Sequence, residues 1–94
     1  MDKSIHFSVT QSDIDNGKPG NPRQCPIAIA FKRSTGATHV SATLGSIQWT
    51  MPSGNRYKVD LPDKAHYLMM LFDAFGRANV RPADLVIDTP TYYT

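Results

Sequence analysis

The stretch Pro62–Phe75, PDKAHYLMMLFDAF, decides the fold. It holds Leu68, Met69, Met70, Leu71, Phe72 and Phe75, the densest apolar run in the chain. Ala65, Leu68, Met69, Phe72 and Phe75 recur at helical spacing and predict one apolar stripe. Pro62 is expected as the first helical residue, Asp63 suits the positive helix start, and Gly76 supplies the stop. Each large stripe residue, once buried, contributes roughly 1.5–3 kcal/mol of transfer free energy. A helix with such a stripe needs a sheet to cover.

The flanking sequence supplies strands. Ser4–Thr10 alternates Ile5, Phe7 and Val9 with polar residues, the mark of a half-buried strand. Thr10 can cap a short helical turn, Gln11 to Asn16, with Asp13 in a capping-box position and Gly17 at its end. GKPGNP, residues 17–22, is a connecting loop. It lacks the Gly-Lys-Ser/Thr ending of a phosphate loop and a complete dinucleotide fingerprint, so a tight connection is the better reading. Asn21 or Cys25 can cap a second helix that runs to about Arg33, with Lys32 and Arg33 in its last turn and Gly36 beyond. Thr38–Leu44, Ser46–Met51 and Arg56–Leu61 each alternate, divided by Gly45 and by the Pro52–Asn55 turn. They read as an antiparallel meander with Val40, Trp49, Tyr57 and Val59 inward. Asp84–Asp88 is a last short strand, and residues 89–94 are a tail with Tyr92 and Tyr93. The expected fold is α+β: one domain over residues 1–94, in the order β-α-β-β-β-α-β. An antiparallel sheet of four to five strands carries two helices on one face.

Composition narrows the function classes. The chain is 40% hydrophobic and 19% charged, so a folded core is expected rather than disorder. The net charge of +2 argues against a protein that imitates DNA with a dense acidic face. All eight acids are Asp, which favours caps, turns and strand ends. The single Cys25 permits no internal disulfide. No apolar run is long enough to span a bilayer, and residues 1–10 alternate unlike a secretion signal. A monomeric, cytoplasmic protein is expected.

Reactive chemistry finds little support. His6, His39 and His66 lie on three elements without close metal-ligand spacing, so no metal and no cofactor is expected. Asp13 and Asp15 point about 200° apart around a helix and do not converge. Cys25 on an apolar helix face reads as a small buried hydrophobe, although a Cys25-dependent enzyme is an alternative. With no catalytic motif and no small-molecule substrate implied, the chain is read as a non-enzyme. Its candidate contact residues are the cations Arg23, Lys32, Arg33, Arg56 and Lys58. Alongside aromatic side chains they can meet a phosphate backbone, although for any single one the better reading is an outward Lys or Arg that protects a sheet edge.

The segment VTQSDIDNGKPGNPRQCPIAIA resembles a set of small phage and prophage proteins. Those share a Thr-Gln/Glu-x-x-Ile-x-x-Gly turn, then Gly, then Cys-Pro-Ile/Val-Ala-x-Ala opening a helix. The matching residues here are Thr10, Gln11, Ile14, Gly17, Gly20, Cys25, Pro26, Ile27, Ala28 and Ala30, and they cover about the first third. In size and pattern the chain is similar to anti-CRISPR proteins that inhibit type I surveillance complexes. The resemblance implies a phage-encoded protein in the host cytoplasm. Its implied partner is the protein surface, and the guide RNA, of a Cascade-like CRISPR surveillance complex, whose hybridisation with target DNA it would block. A phage nucleic-acid-binding accessory protein is the alternative. The shared motif is structural and assigns no functional residue.

Overall fold

Alternating strands and an amphipathic helix emerge where the sequence pattern places them. The computed structural model describes residues 3–76, 78 and 80–89. In chain order it has β1 (Lys3–Val9), α1 (Gln11–Asn16), α2 (Pro26–Thr35), β2 (His39–Ala42), β3 (Ser46–Thr50), β4 (Arg56–Asp60), α3 (Asp63–Phe75) and β5 (Ala83–Thr89). The α+β class is therefore as expected, with five strands. The ladder bonding is divided between two antiparallel sheets, β1–β5 and β2–β3–β4, where a single sheet was anticipated. Alternation identifies strands; which strands pair is a nonlocal matter that it does not encode. Thr89, anticipated as the start of the tail, pairs with Lys3 and closes β5. Tyr92 and Tyr93 lie outside the described residues.

α2 bridges the two sheets, packing on both β1 and β2. Its sequence explains its position. Cys25 is the N-cap, its Sγ accepting from the Ala28 N–H at 3.4 Å, and Pro26 fills the first turn. Ile27, Ala28, Ala30 and Phe31 are all buried, and Gly36 ends the helix at φ 76°, a left-handed position suited to glycine. Phe31 is the joint of an aromatic chain. Its ring meets Phe7 of β1 edge-on at 5.3 Å and Trp49 of β3 at 4.7 Å, and Trp49 stacks on Tyr57 of β4 at 5.3 Å. Edge-on and offset contacts of this kind add to the apolar burial.

α1 carries the expected capping box: Thr10 and Asp13 exchange side-chain-to-backbone bonds. Gly17 then lets the chain pass close to α2, since a Cβ there would sit 2.7 Å from Pro26 Cδ.

α3 buries Ala65, Leu68, Met69 and Phe72 in the shared core. Two expectations shift. Pro62 is the N-cap, with ψ 155°, so the helix begins one residue later, at Asp63. Phe75 is 65% exposed. A seven-residue step falls about 20° short of two turns, which carries Phe75 to the stripe's margin just as the helix ends.

Candidate functional site

The meander's register is the frame of the site. His39, Thr50 and Arg56 form one row across β2, β3 and β4; Val40, Trp49 and Tyr57 form the next; Ser41, Gln48 and Lys58 follow. Against this surface lies a groove of about 380 Å³. Arg23, Lys32 and Arg56 line it, together with His39, Gln48, Trp49 and Tyr57. Among the described residues no carboxylate lines it.

Three elements deliver the three cations. Arg23 rides on the loop before α2, which is pinned to the edge of β2 by the Ala42 N–H donating to the Pro22 carbonyl at 2.9 Å. The Arg23 N–H donates to Asn21 Oδ1 at 3.1 Å, fixing the local turn. The other side of the loop is tied to α3, where Asp73 accepts from the Gly20 N–H at 3.0 Å. That amide is thereby spent, which removes a donor that phosphate cradling would need. Lys32 comes from the last turn of α2, and Arg56 opens β4. Both are exposed.

The other two candidate cations stand apart. Lys58 is exposed on β4 beside Gln48, outside the groove lining. Arg33 turns towards β1 and α1. It forms a salt bridge with Asp13, and its second guanidinium nitrogen donates to the Ser8 carbonyl at 3.0 Å. Asp13 is 2% exposed. Burial alone would push its pKa up; bonds from Arg33 and from the Thr10 N–H and hydroxyl outweigh it and hold the carboxyl below its ordinary 3.8. Arg33 is thus engaged in holding α1, α2 and β1 together, and the anticipated Lys32–Arg33 contact pair is split.

Cys25, Asp84 and Asp88 are engaged structurally. Cys25 is fully buried, and burial raises its thiol pKa, so little thiolate forms at neutral pH. Asp84 and Asp88 accept from Ser8 and Ser4 across the β1–β5 ladder, at 2.6 and 3.1 Å. Among the described residues no three metal-ligating side chains cluster, and no helix is long and apolar enough to cross a membrane.

Sequence reading placed Arg23 and Lys32 on one helix and Arg56 on a strand, with no means of joining them; Arg23 instead lies on the loop before α2, because the helix starts only at Pro26. It passed over His39 and Gln48 as groove residues. The signal that finds them is the register: once the Pro52–Asn55 turn is aligned, His39, Thr50 and Arg56 fall in line. No protein-family model, curated protein or solved structure matches this chain.

Proposed function

We propose that this chain is a non-enzymatic binding protein that inhibits a host ribonucleoprotein defence machine, a type I CRISPR surveillance complex. It docks the groove-bearing face on the complex, places Arg23, Lys32 and Arg56 against the guide RNA backbone, and so blocks hybridisation with target DNA. The observation that carries the reading is the convergence of three cations from three elements on a groove without carboxylates among the described residues. Such a surface suits an anionic partner. The type of partner is supported by the resemblance of residues 10–30 to small phage proteins. A single interface of about 800 Å² per partner is sufficient for such docking. The buried thiol of Cys25 favours binding over nucleophilic chemistry.

The test is affinity capture from cells that express a type I surveillance complex, followed by a target-DNA binding assay with the purified complex. Recovery of the complex, with target binding lost on adding the protein, supports the reading. A protein that neither recovers the complex nor impedes target binding sinks it. The same groove favours a second reading, an accessory protein that binds nucleic acid directly, and that one predicts retention of free nucleic acid without the complex.

A further inference from the structure

We infer that the groove is a subsite for one unpaired nucleotide of a single-stranded nucleic acid, with its phosphates on Arg23, Lys32 and Arg56 and its base against Tyr57. This deepens the docking reading and rests on it for biological context, but it makes a separate claim about the isolated protein. Three observations converge. The groove's volume, about 380 Å³, is that of a small-molecule site and suits a nucleotide unit. A duplex keeps its bases stacked inside and presents no base face to such a site. Tyr57 is half-buried and held nearly parallel to Trp49, at 5.3 Å and 19° between ring planes, so it is a braced aromatic wall. Braced aromatics beside cations are the means by which proteins hold single strands without reading sequence. Gln48 and His39 add hydrogen-bonding groups to the groove lining that suit a sugar or a base edge.

The chemistry, an anionic backbone with an unstacked base, is shared by single-stranded RNA and DNA. The experiment therefore uses both. Fluorescence anisotropy of the purified full chain is measured with labelled oligouridylate and oligothymidylate of about 15 nucleotides, and with a duplex of the same length. The expected result is binding to the single strands at least about tenfold tighter than to the duplex. Preference for the RNA strand identifies guide or messenger RNA as the source; equal binding identifies any exposed strand. Neutralising the two phosphates that flank one nucleotide predicts a loss of about sevenfold in affinity between about 50 and 200 mM salt. Arg23→Gln combined with Arg56→Gln should weaken binding by about tenfold or more. The charge-matched pair Lys18→Gln with Arg81→Gln, exposed and outside the groove, should leave it within about twofold. Duplex bound as tightly as single strand, no strand binding at low salt, or equal loss in the two double variants overturns the assignment. Capture of the surveillance complex by a protein that fails these tests would remove the subsite and leave the docking reading standing. Strand binding without capture would do the reverse.

Discussion

Lys32 and Arg33 are adjacent in sequence, yet they belong to two regions with opposite uses for a positive charge. On the Arg33 side, α1, α2 and β1 meet around Asp13, which is almost wholly buried, and the guanidinium is matched by a carboxylate and the Ser8 carbonyl. On the Lys32 side, the meander carries a groove with three cations and no carboxylate among its described lining residues. The first region spends charge on cohesion. The second leaves it available to a partner. The difference teaches that a cation's role is set by what faces it across the fold: a step of one residue, about 100° around the same helix turn, moves the charge from one region to the other.

The contrast can be broken first at the joint. Phe31 links the regions through Phe7 and Trp49, so Phe31→Ala should cost about 3–5 kcal/mol and leave little folded protein in moderate urea. Chemical denaturation monitored by Trp49 fluorescence reads it. Next comes the matched side. Asp13→Ala should cost about 2 kcal/mol, from lost capping and charge-assisted bonds; Arg33, half exposed, can return to water and limits the loss.

The same carboxylate sets an acid limb. Its folded pKa is depressed, so its stabilisation is complete above the ordinary value of 3.8 and is lost as pH falls through the lower folded value. Melting temperature between neutral pH and strong acid should therefore drop most below about pH 4, and Asp13→Asn should flatten that limb.

A smaller effect belongs to the helix start. Cys25→Ala removes the Sγ cap on Ala28 and should cost about 1 kcal/mol, whereas the native thiol should react with a thiol reagent only as the protein unfolds. The smallest stability effect belongs to the groove. Arg23→Gln with Arg56→Gln should change stability by no more than about 0.5 kcal/mol while abolishing capture of the complex. A large stability loss there would show that these arginines serve cohesion after all, and the contrast would fail.

Much of this division was hidden in the sequence, for physical reasons. Local patterns were readable: the alternation of Ile5, Phe7 and Val9, the Thr10–Asp13 capping box, the α3 stripe of Ala65, Leu68, Met69 and Phe72, and the left-handed stop at Gly36. Each depends on residues within a few positions of one another. The Arg33–Asp13 pair spans 20 positions, and the loop of Arg23 is fixed by Ala42 in another element. Neither leaves a periodic trace. Phe75 misled because it falls at the margin of the stripe on the last residue of the helix, where spacing alone still counts it as inward.

The ladder between β1 and β5 has one more consequence. Ser8 and Asp84 are 76 positions apart, so the first strand has no partner until nearly all of the described chain has been synthesised. On the ribosome, Ile5, Phe7 and Val9 must wait with an open edge, and the step that joins them to β5 closes a very long loop. The meander, whose strands are neighbours in sequence, is free to form meanwhile. A nascent chain stopped before Ala83 should thus hold the future groove while offering β1 as a template for aggregation.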